Sequence, residues 1–318
     1  MKFLACMPYT EEQKERLRTV AAGHEIVFKA LEEVTAEDVQ DVEAILGNVP
    51  VNLVKQAPKL RWLQTNSAGA DQYCKEGVLP SDCMLTNASG AYGTSVSEWM
   101  VSASFMLLRK LDLYMRNQVT HAWKDEGDVL SVKNAVVLVL GLGDIGGHYA
   151  EKMHALGSYV IAVTKHSHKE KPAYADEMHT IEELDTLLPK ADIVAMVLPG
   201  TEENRNLMNK DRFRLMKKTA YLINAGRGNS VHNLELNEAL HEGILAGAAL
   251  DVTDPEPLPA DHPLWDAPRC IITPHISGKF HLAETFLHIV DFCAENMEKF
   301  IAGDTEHMTH QVNRKLGY

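Results

Sequence analysis

An α/β fold of parallel, doubly wound sheets is what this sequence predicts, and three observations predict it. Short apolar runs with the β-branched content of buried strands alternate with helical stretches along the chain, as in successive βαβ units. Several of these runs end in small residues, as strands do where the carboxyl edge of a parallel sheet leaves backbone N–H groups open to a ligand. One run, Ala135 to Leu140, breaks directly into Gly141-Leu142-Gly143-Asp144-Ile145-Gly146, a G-x-G-x-x-G turn that opens a helix. The glycines there supply a tight turn, close approach of backbone to a pyrophosphate, and close packing of helix on strand. The helix N-terminus adds free N–H groups and the positive end of its dipole. A plain glycine-rich turn is the other reading of the motif; its place between two strands and before a helix favours a dinucleotide site.

Taken in order, the chain opens with a strand at Phe3 to Met7, a charged helix from Glu11 with Leu17 and Val20 on one face, and a strand at Glu25 to Phe28. Ala44 to Asn48, Leu60 to Thr65 and Met84 to Asn87 read as further short strands. The last two run into Asn66-Ser67-Ala68-Gly69-Ala70-Asp71 and Ala88-Ser89-Gly90-Ala91-Tyr92-Gly93. Small residues packed at a crowded turn are an alternative reading of these ends. Thr94 or Ser95 is placed to cap a long helix through Val96, Trp99, Met100, Ala103, Phe105, Met106 and Leu107 to Asn117, apolar on most of its circumference. His121 to Gly127 is a polar connection into the glycine-motif strand. After that motif Ile145, Tyr149, Met153 and Leu156 recur at helical spacing, and Tyr159 to Val163 is the next strand.

The alternation then continues through helix Ile181 to Leu188, strand Asp192 to Leu198 with Pro199-Gly200 at its end, and helix Lys210 to Met216. Strand Ala220 to Asn224 leads into Ala225-Gly226-Arg227-Gly228, helix Asn233 to Glu242 follows, and strands Ala246 to Val252 and Arg269 to His275 come next. A helix at Leu282 to Ile301 precedes a polar tail. Trp62, Tyr92, Trp99, Trp123 and Trp265 are read as core or interface aromatics, and Tyr92 is also near enough to the Asn87-to-Gly90 turn to reach a substrate side chain.

Bulk properties narrow the function. A length of 318 residues suggests about two domains, and 45% apolar with 24% charged residues is ordinary globular composition. A net charge of −13 argues against nucleic acid or an anionic membrane as the main partner. No run approaches the ~18 apolar residues of a membrane span, and the N-terminal apolar run is too short for a signal peptide. Cys6, Cys74, Cys83, Cys270 and Cys293 are odd in number and form no C-x-x-C, so neither a disulfide framework nor a metal site is expected; reduced thiols in the cytoplasm fit best.

Three ionisable residues stand at successive strand mouths: Arg227, Glu256 in Asp-Pro-Glu-Pro, and His275 in Thr-Pro-His-Ile-Ser-Gly. A guanidinium fits a carboxylate bidentately. Histidine titrates near neutrality and can exchange a proton with a carbonyl oxygen. A glutamate on the other ring nitrogen would fix the tautomer and favour the protonated ring. Taken singly, the three also read as a surface ion pair, a solvated loop charge and a capped loop residue.

Together the motifs carry a resemblance over nearly the whole chain. Gln64 to Asp71, Thr86 to Gly90 with Ser97-Glu98, the glycine motif, Leu222 to Gly228, Ala249 to Val252 with Glu256-Pro257-Leu258, and Thr273 to Gly278 are those of the D-isomer-specific 2-hydroxyacid dehydrogenases. This family includes D-lactate, D-glycerate (hydroxypyruvate/glyoxylate) and phosphoglycerate dehydrogenases. The order Arg227, Glu256, His275, with spacings of 29 and 19 residues, is highly specific.

The resemblance implies two doubly wound parallel-sheet domains, flavodoxin-like and Rossmann-like, with a cleft between them. Residues 1–99 with 284–318 would form the substrate domain and 100–283 the dinucleotide-binding domain, the long helices near 95–117 and 282–301 being hinges. It further implies hydride exchange between a nicotinamide and C2 of a small 2-oxo or 2-hydroxy acid, with His275 as proton donor, Glu256 as its partner and Arg227 on the substrate. Backbone N–H groups of Ala68 and Gly69 would hold the carboxylate, with Tyr92 nearby. Leu198, Pro199, Asn224, Ala225, Gly226, Asp251, His275, Ser277 and Gly278 would join Gly141 to Gly146 in holding the cofactor, and the protein would be a cytoplasmic homodimer.

One departure bears on the cofactor. NAD-binding members of such folds carry an acidic residue about 20 positions past the glycines. Here Thr164 stands at that place, followed by Lys165, His166, Ser167, His168 and Lys169. A hydroxyl and cations without a carboxylate predict NADP(H), with Thr164, Lys165 and His166 as contacts and NAD(H) as the possible alternative; a merely solvated basic loop is the other reading. His232 stands where similar sequences carry Asp, and no catalytic role is assigned to it. Proteins of this fold also act as nucleotide-sensing scaffolds, a reading that retention of Arg227, Glu256 and His275 together disfavours.

Overall fold

The computed structural model describes residues 1–165 and 170–315. His166, expected to touch the cofactor, lies outside the described residues with Ser167, His168 and Lys169. The chain begins β1 (Lys2–Ala5), α1 (Glu11–Val20), β2 (Glu25–Phe28), β3 (Ala44–Leu46), α2 (Val51–Val54), β4 (Trp62–Gln64) and β5 (Met84–Thr86). The five strands form one parallel sheet in the order β2-β1-β3-β4-β5, the flavodoxin-like order. α1 starts where Thr10 and Gln13 close a capping box, satisfying two N–H groups at its start.

There follow α3 (Gly93–Leu108), α4 (Leu111–Val119), β6 (Val136–Leu140), α5 (Asp144–Ala155), β7 (Tyr159–Thr164), β8 (Glu177–Thr180), α6 (Leu184–Leu187) and β9 (Ile193–Met196). Then come α7 (Lys210–Leu215), β10 (Tyr221–Asn224), α8 (Asn233–His241), β11 (Gly247–Leu250) and β12 (Cys270–Ile272). These seven strands make a second parallel sheet, β12-β11-β10-β9-β6-β7-β8. Counted from its own first strand this is the doubly wound dinucleotide-binding order with one strand added, and its order reverses between β6 and β9, where such sheets bind ligands. α9 (Ala283–Ala302) returns to the first sheet, and its Phe300 packs on Phe3 and Trp62.

The chain divides into two compact units, Met1–Tyr92 with the segment from Phe280 on, and Gly93–Lys279. Each has its own apolar core: Leu4, Ile45, Leu63 and Tyr73 are among the buried residues of the first, Leu138, Ile161, Val194 and Leu222 of the second. Among the described residues no helix is long and apolar enough to cross a membrane. All five cysteines are free, and burial pushes the thiols of Cys6, Cys83, Cys270 and Cys293 up to about 12.

Several expectations need correction. The single helix from Thr94 to Asn117 is two, broken at Lys110, which takes φ 57°. The cause is Arg269: its guanidinium donates to the Leu107 carbonyl at 2.6 Å, the acceptor a continuous helix would keep for Leu111, and grips Asp112 at 2.6 and 2.9 Å. The helix begins at Gly93, so Thr94 and Ser95 lie inside it, and Ser95 Oγ donates to the Ser277 carbonyl. Strand β8, Glu-Met-His-Thr, was not expected; it is a polar sheet edge whose residues are all half-buried. Leu156 falls just past the end of α5 and is exposed. Trp62 is buried, but Trp123 is fully exposed and Trp265 is exposed, so neither is a core residue.

Candidate active site

The dinucleotide cradle is built by backbone packing. β6 delivers Gly141 at φ +96°, where a Cβ would come 2.8 Å from the Val197 carbonyl oxygen, and a Cβ on Gly146 would come 1.9 Å from the Gly141 oxygen. Only glycine fits either place. Around Gly143, by contrast, nothing lies within 4 Å of a Cβ position, and this residue is the N-cap of α5 with no side-chain cap. A twelve-residue helix thus begins with no side-chain cap and with room beside its N-cap, an arrangement that fits a pyrophosphate. Leu142 and Ile145 flank this turn half-buried, and Asp144 is turned toward His148 at 3.6 Å.

The neighbouring strand ends meet just as closely. A Cβ on Gly226 would lie 2.6 Å from the Leu198 nitrogen, so the Asn224-Ala225-Gly226 turn after β10 packs backbone to backbone against Leu198 after β9, with Pro199 next in line. The Asn224 side chain shapes that turn by accepting from Gly226 N–H at 3.1 Å and donating to the Arg227 carbonyl at 3.0 Å. On the other side of β6, Thr164 ends β7 opposite Thr180 of β8, and Lys165 forms an ion pair with Glu203 at 2.6 Å.

The three ionisable candidates all stand on the second unit, at the carboxyl ends of β10, β11 and β12. Arg227 is extended, and its carbonyl is held by Asn224 and by Ser230 Oγ at 2.7 Å. His275 Nδ1 and Glu256 Oε2 are 2.9 Å apart, while Thr253 N–H donates to the other carboxylate oxygen at 3.1 Å. Burial pushes the Glu256 carboxyl up, but the hydrogen bond and charge of His275, the Thr253 N–H and the charge of Arg227 outweigh it and leave the group below its ordinary value. A carboxylate on Nδ1 leaves Nε2 as the ring atom available to a substrate.

Asp251, expected at the cofactor, has its carboxylate committed to the loop that carries His275. It accepts from Thr273 Oγ1 at 2.6 Å, Ile276 N–H at 3.0 Å, Ser277 N–H at 3.0 Å and Ser277 Oγ. Ser277 is buried by this arrangement, with Gly278 next along the loop. His232 caps α8 by accepting from Glu235 N–H.

Ala68, Gly69 and Tyr92 belong to the first unit. In the loop after β4 every carbonyl is tied back: Asn66 by Tyr92 Oη, Ser67 by Thr65 Oγ1 and Ala88 N–H, Ala68 by Asn87 Nδ2, Gly69 by Ser67 Oγ. The N–H groups of Ala68 and Gly69 have no acceptor among the described residues, the polarity an anion-binding loop requires. Tyr92 therefore braces this loop with its hydroxyl. Asn48, which accepts from Asn66 N–H and donates to Ser67 Oγ, and Asn87 brace this loop, a role the sequence analysis does not assign to either; an asparagine at the end of a short strand is the available signal.

The chain is similar to known proteins over most of its length. A family model described as D-isomer specific 2-hydroxyacid dehydrogenase, NAD binding domain, matches residues 101–277. The glyoxylate reductase of Aeropyrum pernix is 31% identical over 281 residues, 86% of this chain and 82% of its own length. A D-isomer specific 2-hydroxyacid dehydrogenase family protein from Aeromonas salmonicida has a solved structure similar to this one, with a TM-score of 0.87, 29% identity and coverage of 98% of this chain and 99% of that one. A probable 2-hydroxyacid dehydrogenase from Rhizobium etli, solved in complex with NADP, HEPES and L(+)-tartaric acid, has a TM-score of 0.79 and 26% identity over 100% of this chain and 99% of its own. Motifs, sheet orders, glycine cradle and relatives agree: the chain belongs to the D-isomer specific 2-hydroxyacid dehydrogenase family and is an NAD(P)-dependent oxidoreductase.

Proposed function

We propose that this protein is an NADP(H)-preferring reductase of a small 2-oxo acid, such as glyoxylate or hydroxypyruvate, giving the D-hydroxy acid. The observation that carries the reading is the 2.9 Å contact of His275 with Glu256 beside Arg227 at adjoining strand ends. When bound, the nicotinamide ring supplies the hydride to C2 of the acid, or takes it in the reverse direction. His275 gives a proton from Nε2 to the 2-oxo oxygen. Glu256 holds Nδ1 and fixes the orientation of the ring, leaving Nε2 toward the substrate. Arg227 binds the carboxylate and opposes charge developing on the carbonyl oxygen. The open N–H groups of Ala68 and Gly69 support their reading as a carboxylate-binding loop.

The NADP(H) preference is supported by Thr164 and Lys165 at the end of β7, where a carboxylate would select NAD(H). Kinship to the glyoxylate reductase of Aeropyrum pernix supports the substrate class, and the NADP complex of the Rhizobium etli relative supports the cofactor. The homodimer is supported by exposed apolar residues on and after α4, namely Leu111, Met115, Val119 and Trp123. The free cysteines support a cytoplasmic setting.

The test is oxidation of NADPH, and separately NADH, with glyoxylate, hydroxypyruvate, pyruvate, 2-oxobutyrate and phenylpyruvate, alongside His275→Ala and Thr164→Asp. Fast NADPH turnover with one small acid, lost by about a thousand-fold or more in His275→Ala, is expected. Thr164→Asp should shift preference toward NADH. Tight NADPH binding with no turnover on any acid would point to a sensor instead, and sedimentation of a monomer at micromolar concentration would remove the dimer.

A further inference from the structure

The order of the second sheet places β6, with its glycine turn, between β7 and β9. Lys165 follows β7, and Glu203 lies in the short turn after β9 (Glu202–Asn204). Their 2.6 Å ion pair therefore joins the two strand ends that flank the glycine turn, on the side where a dinucleotide enters a sheet of this order. The turn that carries Glu203 is itself fixed. Asn204 donates to the Pro199 carbonyl at 2.9 Å, and the adjacent Glu202 is taken by Arg205 through two contacts of 2.8 and 2.9 Å. Of these two neighbouring glutamates, then, Glu203 is the one directed at the β7 end. Both members of the pair remain about half exposed, so the pair is weak and exchangeable.

We propose that Glu203 is a specificity-determining residue for the cofactor: its carboxylate holds Lys165 in the free protein and is exchanged for the 2′-phosphate when NADPH binds. This rests on the NADP(H) reading of Thr164 and Lys165. The carboxylate that a strict NAD-binding protein carries at the end of β7 is replaced by Thr164, yet Glu203 brings one to the same cation from across the glycine turn. It opposes a 2′-phosphate by competing for Lys165 and by like-charge repulsion, and leaves a 2′-hydroxyl nearly unaffected. The arrangement sets NADPH discrimination below what Lys165 alone would give.

The experiment is titration of NADPH and NADH into the purified protein by nucleotide fluorescence, without acid substrate, for wild type, Glu203→Gln and Lys165→Gln. Glu203→Gln is expected to tighten NADPH about three- to ten-fold at low salt and to leave NADH within about two-fold, with the difference shrinking as salt screens the charges. NADH affinity reports that the variants remain folded. If Lys165→Gln weakens NADPH while Glu203→Gln changes nothing, or moves both nucleotides equally, the exchange is overturned and the cofactor reading stands. If Lys165→Gln leaves NADPH untouched and wild type holds NADH at least as tightly, the cofactor reading fails and the exchange fails with it.

Discussion

His275 sits in left-handed backbone at φ 51°, a conformation that costs a non-glycine residue energy and persists only when its surroundings impose it. Asp251 imposes it. The Asp251 carbonyl accepts from His275 N–H at 2.8 Å, and its carboxylate takes four donors from Thr273, Ile276 and Ser277 on either side. Asp251→Asn turns one acceptor into a donor facing donors, leaving a buried group unpaired at about 1–3 kcal/mol. The loop should shift and kcat fall roughly ten- to a hundred-fold at saturating cofactor, since small misplacements of an acid are expensive. Were Asp251 only a cofactor contact, the variant would raise the KM for NADPH and keep kcat, which steady-state kinetics separates. That Arg227, Glu256 and His275 stand at strand ends was legible because each sits in its own short motif. The work of Asp251 was not, since its partners lie 22 to 26 residues downstream and only the fold brings them back.

At the scale of elements, most strands were readable because they are apolar and closed by small residues, whereas β8 was not because an edge strand buries too little to show a pattern. It is pinned by charge. His179 lies 2.7 Å from Glu177 and 2.9 Å from Glu183, and Tyr159 of β7 donates to the far oxygen of Glu177. The hydrogen bonds of Glu177 and then Glu183 raise the His179 pKa above 6.5 despite its partial burial. Stability from a raised pKa is fully present below the unfolded value and is lost as pH rises through the folded one. The melting-temperature gap between wild type and His179→Gln should therefore be widest below pH 6.5 and narrow at higher pH; a gap that is constant or grows with pH would contradict the assignment. The break between α3 and α4 was equally hidden, because Arg109 and Lys110 are good helix formers and the interruption comes from Arg269, far along the chain. Asp112 is buried on that guanidinium, so Asp112→Ala should leave an unpaired buried charge and cost about 3 kcal/mol in denaturant unfolding.

For the molecule as a whole, the domain boundaries that the family resemblance implies, 99/100 and 283/284, fall inside two helices, while the compact units divide at Tyr92/Gly93 and Lys279/Phe280. A helix is one rigid element, and the whole of α3 goes with α5 and the second sheet. The two units differ in how the chain supplies them. Gly93–Lys279 is contiguous and its core cluster is drawn from its own strands and helices. The first unit needs both ends of the chain: Asn296 of α9 donates to Gln64 at 3.0 Å, within a buried network in which Thr86 joins Gln64 to Trp62, and Phe300 covers Phe3. Removing α9 would expose those aromatics and leave that network unsatisfied. A fragment of residues 93–279 should therefore unfold cooperatively by circular dichroism and bind NADPH within about ten-fold of the intact protein, and, on the proposed role of Ala68 and Gly69 in holding the carboxylate, show no turnover. Residues 1–92 alone should show no cooperative transition, and adding a peptide of 280–318 in trans should restore one. A cooperative melt of 1–92 by itself would show that α9 is dispensable to the first unit, and failure of 93–279 to bind NADPH would show that the cradle at Gly141 to Gly146 does not suffice for the cofactor.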